Sequence, residues 1–460
     1  MNPFDRAIST LEHTEPLRIT GAVAAMRGLT ILVDDLPVET GTFVSIGTGA
    51  RRLYGEVVGF EDRRAIVMTL NDPMGVRPRD PVVAEQSSPT VHVGPYLRGR
   101  VLNGLGETID GLGPVMDLSR APINPLPISP LARARCDRQL VTGVRAIDLM
   151  TAVGRGQRMG IFAGPGVGKS TLLGMIAQKT RADVNVIALI GERGREVREF
   201  LDDALGPEGL ARSVVVVATS DEAPLLRVRA ALVATTIAEF FRDRGDDVML
   251  MVDSITRFAH AKRQIGLAVG EPPATRGYTP SVFSALPLLL ERAGATKDEH
   301  GERLGSITAF YTILVEGDDM TEPVSDAARG ILDGHVVLSR RLAHRGHFPA
   351  VDVLDSVSRV AGDVTTQDQQ RARQTVTRLL AAHAEAEDLI QIGAYAQGSD
   401  PTTDAAIACK PIIDNILQQR NDDDEPHEEA LARFLELAKQ SQILTEASSK
   451  QSEQRGGASR

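Results

Sequence analysis

The run Ala163-Gly164-Pro165-Gly166-Val167-Gly168-Lys169-Ser170-Thr171 holds residue types that could grip a phosphate. It follows the apolar stretch Met159–Phe162, which predicts a buried strand. It precedes Leu172–Ala177, apolar enough for a packed helix. Strand, glycine-rich loop and Lys-Ser at a helix start form the phosphate-binding P-loop arrangement. Glycines 164, 166 and 168 let successive backbone N–H groups turn toward an anion, and the helix N-terminus adds partial positive charge. Pro165 and Val167 complete the loop. Lys169 would meet the terminal phosphates, Ser170 would offer a hydroxyl to Mg²⁺, and Thr171 follows in the first helical turn. Ala163 stands where the strict pattern has its first glycine. A dinucleotide fingerprint fails on spacing, because its third glycine position holds Lys169.

Hydrolysis needs two further parts, a carboxylate on the metal side and a group that orients water. Val248–Val252 is an apolar strand ending in Asp253, a placement that brings a carboxylate to the metal beside a P-loop. The strand Val184–Ile190 leads to Glu192, expected at the same sheet edge, where it could accept a proton from the attacking water. Arg193 follows and could hold either that carboxylate or a phosphate; a surface ion-pair cluster is the simpler alternative. An arginine that neutralises the transferring phosphoryl group, often donated by a neighbouring subunit, is also needed. Arg257, Arg276, Arg340 and Arg359 are candidates that spacing alone does not separate.

These parts sit in a chain of 460 residues, long enough for two or three domains. Net charge of −10, 4% aromatics and no Trp argue against a dedicated nucleic-acid binder. Cys136 and Cys409 stand far apart without clustered His, which predicts neither a disulfide framework nor a zinc site. No apolar run nears the ~18 residues of a membrane span, and the N-terminus lacks a basic-then-apolar leader. The expectation is a cytoplasmic or peripheral protein.

Composition divides the chain further. Residues 1–14 carry Phe4, Ala7, Ile8 and Leu11 on one helical face, a partner-binding segment or a frayed end. Residues 15–90 hold short β-rich runs (30–33, 43–46, 55–60, 65–68), which predict a small closed β-barrel used for assembly. Residues 91–138, with Pro122, Pro125, Pro127 and Pro130, read as a linker leading into the core. From 139 to 361 strands alternate with helices, implying an α/β core with a parallel sheet covered on both faces. Residues 362–445 carry helical periodicity only, with Pro411 expected to kink one helix. The acidic run Asp422–Glu425 reads as a solvated turn beside a helix start, and 446–460 as a disordered tail.

Four stretches occur in order: Thr142–Asp148 (TGVRAID), Gly164–Ser170, Gly191–Val197 (GERGREV) and Asp253–Ala259 (DSITRFA). Together they resemble the catalytic subunits of rotary ATP synthases and their secretion relatives. Gly270–Tyr278, Glu316–Asp319 and Ile331–Arg340 are more similar to the flagellar and type III secretion export ATPases. The resemblance implies a RecA-like P-loop core between an N-terminal barrel and a C-terminal helical domain. It implies an Mg²⁺-dependent ATPase that works as a homohexamer in protein export. Lys169 and Ser170 would then bind phosphate and Mg²⁺, Asp253 would serve the metal, and Glu192 would activate water with Arg193 adjacent. Arg359 matches the finger that reaches into a neighbour's site, Phe348 an aromatic that packs on adenine, and Tyr395 a further wall of that pocket. Implied partners are a stator-like regulator, a central stalk-like protein, and export substrates and chaperones at the C-terminal domain, with peripheral placement at a membrane export gate. Alternatives are a rotary synthase catalytic subunit, an RNA-translocating hexameric helicase, and a docking ring in which ATP controls assembly only.

Overall fold

The computed structural model describes residues 18–47, 52–86, 89–298, 300–315, 317 and 319–457. The segment 1–14 singled out for partner binding lies outside them. Six strands close into the expected barrel: β1 (Thr20–Arg27), β2 (Thr30–Asp34), β3 (Phe43–Ile46), β4 (Leu53–Glu61), β5 (Arg64–Thr69) and β6 (Pro81–Gln86), in the order β1-β2-β5-β4-β3-β6. Val33, Val44, Val57 and Val67 fill the interior, with almost no exposure.

The stretch read as a linker does more than connect. β7 (Thr90–Val93) pairs with β9 (Ser119–Pro122), and between them β8 (Val101–Asn103) joins the edge of the main sheet, parallel to a later strand. At three residues β8 is too short for periodicity to reveal it. Its pairing is a tertiary event. Arg133, further along, donates to the carbonyl of Ala293 at 3.0 Å, so the proline-rich segment is fastened to the core.

After the short pair β10 (Gln139–Leu140) and β11 (Val153–Gly154) comes the principal sheet. Its strands are β12 (Arg158–Ala163), β13 (Val184–Glu192), β14 (Ser213–Thr219), β15 (Asp247–Asp253), β16 (Gly294–Lys297), β17 (Arg303–Leu314), β18 (Gly334–Leu338) and β19 (Val351–Ser358). The order is β19-β18-β12-β17-β15-β13-β14-β8, with β16 antiparallel on β17. All neighbours from β18 to β8 run parallel; β19 is antiparallel on the edge. Period-two geometry sends Val184, Val186 and Ala188 of β13 into one core and Ile187 and Leu189 into the other. Burial of both faces explains why these strands read as nearly continuous apolar runs and not as alternating ones.

Three helices, Gln367–Gln391, Pro401–Leu417 and His427–Gly457, form the C-terminal part. Val376, Ile413 and Phe434 share one core with β12 and the helix that follows it. The sequence suggested a disordered tail from 446, yet the last helix continues to Gly457. Its packed first half removes the nucleation cost, and the Glu, Lys, Gln and Arg that follow are good helix formers. The acidic run is a solvated turn only at Asp422 and Asp424, which are exposed. Asp423 and Glu425 pair with the buried Arg145 at 2.7 and 2.8 Å, and Asp424 with Lys179 at 3.1 Å. The turn is held by charge partners that lie some 240 to 280 residues away in sequence, beyond the reach of local pattern.

The helix after the P-loop, Lys169–Lys179, packs closely on the π-helical turn Phe200–Leu205. A Cβ on Gly174 would lie 2.5 Å from the carbonyl oxygen of Ala204 and 2.8 Å from its Cβ. Glycine inside a helix ordinarily costs about 0.5–1 kcal/mol relative to Ala. Here the substitution Gly174→Ala is expected to lower the melting temperature, because backbone must move; an unchanged or higher melting temperature would contradict this packing.

Candidate active site

The P-loop leaves the carboxyl end of β12, and its conformation follows from its glycines. Gly166 and Gly168 have φ of +76° and +90°, a region that side-chain-bearing residues rarely adopt. A Cβ on Gly166 would meet open space, so nothing in the chain covers the loop on that face. Gly168 is the cap of the helix, and having no side chain it leaves the first-turn amides without a capping partner. Those amides, and the exposed hydroxyls of Ser170 and Thr171, are free for an anion.

Adjacent strands bring the other groups to the same edge. Glu192 ends β13 and Asp253 ends β15, with Leu189 in register with Asp253. Lys169 Nζ donates to Asp253 Oδ1 and lies 3.5 Å from Glu192 Oε1. Thr312 of β17 donates its hydroxyl to Asp253 Oδ1 at 2.6 Å. Sequence reading missed Thr312, since a threonine in an apolar strand carries no signal of its own. Arg257 Nη2 stands 3.9 Å from Glu192 Oε2, and its Nε is buried with no hydrogen-bond partner. Gly191, with φ +68°, gives the room: a Cβ there would lie 3.2 Å from Arg257 Cβ and Cδ.

The electrostatics are those of a site short of solvent. Burial pushes the Glu192 carboxyl up to about 7, aided by Asp253 and by a hydrogen bond to Glu196, while Lys169 and Arg257 pull it down. Burial would lower the Lys169 ammonium, but Asp253 and Glu192 outweigh it and the net shift is upward. Lys169 is therefore a cation held between two carboxylates. Ser170, Asp253 and any water they hold are hard oxygen donors, the set that suits Mg²⁺.

The remaining candidates divide. Phe348 lies beside the loop, its ring carbons 3.7 Å from where a Cβ on Gly168 would stand. Arg193 is largely exposed and caps the helix Gly194–Glu199 against Glu196 at 3.4 Å; Glu196 is in turn hydrogen-bonded to Glu192. Arg276 pairs with Asp319 at 2.9 Å. The structure does not bring Tyr395 to the pocket. Its hydroxyl donates to the Asp400 carbonyl and to Asp404, at the start of helix Pro401–Leu417. Phe348 is tied to Gln419, past the other end of that helix, roughly 20 Å away at 1.5 Å per residue. A tyrosine in a turn between two helices serves the turn.

Arg359 follows β19, whose Ser358 pairs with Gly334 of β18, and Gly334 pairs with Met159 at the start of β12. The P-loop leaves β12 at its other end, about 13 Å further along at the rise of a strand. Arg359 is exposed, and its side chain has no hydrogen-bond or ion-pair partner among the described residues.

Residues 143–358 match the family model of the ATP synthase alpha/beta family, nucleotide-binding domain, and residues 365–436 that of the T3SS EscN ATPase C-terminal domain. The chain belongs to the ATP synthase alpha/beta family. Within it, the chain is an ATP-hydrolysing enzyme of the flagellar and type III secretion ATPase branch. It is 53% identical over 411 residues to the flagellum-specific ATP synthase of Treponema pallidum, covering 89% of this chain and 91% of that one. It is 48% identical over 415 residues to a type 3 secretion system ATPase of Xanthomonas euvesicatoria, covering 89% and 92%. Among solved structures, the assembled ATPase EscN of the enteropathogenic E. coli type III secretion system matches with a TM-score of 0.85 and 41% identity, over 91% of this chain and 100% of that one. The expected barrel, RecA-like core and helical domain are thus those of the family. Among the described residues no helix is long and apolar enough to cross a membrane.

If Glu192 takes the proton of the attacking water, only its ionised form works. With a carboxyl at about 7, kcat/KM should fall about tenfold per pH unit below that value and level off above it. A profile flat from about pH 5.5 to 8.5 would remove Glu192 from that role.

Proposed function

We propose that the chain hydrolyses Mg²⁺-ATP at sites shared between subunits of a homohexameric ring, and that this turnover energises protein export through a flagellar or type III secretion apparatus. The observation that carries the reading is the separation of Arg359 from its own P-loop. Unpartnered at the amino edge of the sheet, it is available to a neighbour and too distant to serve its own subunit.

The P-loop residues Gly164–Thr171 bind the triphosphate through backbone amides, with Lys169 releasing Asp253 to pair with the terminal phosphates. Ser170 and Asp253 hold Mg²⁺, which when bound screens the charge of the phosphate oxygens. Glu192 accepts a proton from water as its oxygen bonds to the γ-phosphorus and the bond to ADP breaks. Arg257, beside it, keeps that carboxylate oriented; Arg193 caps the next helix and supports Glu192 from outside. Arg359 of the adjacent subunit meets the charge that builds on the transferring group. Phe348 packs on adenine.

Assembly of EscN, described with a central stalk EscO, supports a ring with a stalk-like partner. Exposed Leu389 and Ile392 at the tip of the C-terminal helices offer apolar contacts for such a stalk, or for chaperones and export substrates. A stator-like regulator is assigned to residues 1–14, and the ring to a cytoplasmic position at the membrane export gate.

Arg359→Ala should lower kcat about 10³-fold or more while sedimentation still shows assembled protein. Glu192→Gln should abolish turnover and leave nucleotide binding intact. Near wild-type turnover by Arg359→Ala would refute the shared site, and by Glu192→Gln the assignment of the base.

A further inference from the structure

Phe348 is nearly half exposed (46%), and its ring lies 3.7 Å from where a Cβ on Gly168 of the P-loop would stand. A ring so placed needs its backbone fixed from behind. Its carbonyl accepts a hydrogen bond from Gln419 N at 2.9 Å. The preceding Gln418 brings Nε2 to 3.2 Å from His347 Nδ1. Two consecutive residues at the end of a C-terminal helix thus hold the two residues that carry the ring.

Gln419 is itself buried, and its side-chain amide is used at both ends. Oε1 accepts from Arg145 N at 2.9 Å, and Nε2 donates to the Gly143 carbonyl at 2.9 Å. Arg145 binds the same segment: Nε donates to Ile416 O at 2.8 Å, Nη2 to Gln418 O, and Nη1 to Asp423 and Glu425. Gly143, with φ +78°, lies against Lys179, the last residue of the P-loop helix. Gln419 therefore joins two places: its side-chain amide holds Gly143, which packs against the far end of the P-loop helix, and its backbone N–H holds the carbonyl of Phe348 beside the P-loop.

We propose that Gln419 is a positioning residue for base recognition, with Arg145 acting through it. It sets the height of the Phe348 ring over the P-loop, so the C-terminal domain determines how well a purine is held. The inference rests on the reading that Phe348 packs on adenine. A defect should therefore appear in affinity and base preference more than in the chemical step.

Steady-state kinetics of the full chain with ATP and with UTP test this. Phe348→Ala and Gln419→Ala should each raise KM for ATP about tenfold, the scale of one lost aromatic–base stack, with a smaller change in kcat. Each should also reduce the preference for ATP over UTP, and the double variant should be no worse than Phe348→Ala alone. Should Gln419→Ala fail to fold, Gln419→Glu retains the acceptor for Arg145 N–H, loses the donor to Gly143, and should shift KM and preference in the same direction. Wild-type KM and preference in the Gln419 variants, with Phe348→Ala impaired, would overturn the inference. Unaltered preference in Phe348→Ala would overturn the reading beneath it.

Discussion

Everything at this site depends on one lysine held between two buried carboxylates. Lys169 Nζ donates to Asp253 and lies 3.5 Å from Glu192, so a single ammonium supplies countercharge to both carboxylates in a site short of solvent. The arrangement is stable without substrate and yields to it. A triphosphate would compete for Lys169, and Asp253, once released, is left as a hard oxygen donor. Glu192, already raised by burial to about 7, loses part of its countercharge at the same moment, which raises its affinity for a proton further. Phosphate binding and the protonation of Glu192 are thus linked through a single ammonium group.

The groups converge because a parallel sheet ends all its strands on one side. β12, β17, β15 and β13 are neighbours, so residues 169, 312, 253 and 192 meet although some 140 positions separate the outermost. That rule made Lys169, Ser170, Asp253 and Glu192 legible from sequence: each follows an apolar run, and each run must end at the same edge. Thr312 sits on the same edge but within its strand, and nothing in its surroundings distinguishes it from a buried core threonine.

What sequence could not reach lies where contacts bridge distant segments. The acidic run at 422–425 has the pattern of a solvated turn, and Arg145, buried in a six-residue helix, together with Lys179 ties it to the core. Tyr395 fails for the complementary reason. A helix of 17 residues carries its two ends far apart, and the motif containing Tyr395 gives no indication of which end it occupies. The strand β8 was hidden by brevity and the extended last helix by its polar composition. Pro122–Pro130 did predict an irregular connection, though one fastened to the core. The C-terminal helices contribute to the same core as β12, which makes them a structural part of the nucleotide domain and explains how Gln419 can reach Phe348.

The central claim is that each catalytic site is divided between two copies of the chain, one giving Lys169, Glu192 and Asp253 and the other Arg359. Mixing two inactive variants tests it most directly. Lys169→Ala and Arg359→Ala proteins, each without turnover, are combined under conditions in which rings exchange subunits, and ATP hydrolysis is measured. The account predicts that activity returns, because an Arg359→Ala subunit presents an intact P-loop to the intact Arg359 of a Lys169→Ala neighbour. A mixture no more active than its separate components, with mixed rings demonstrated, would contradict it.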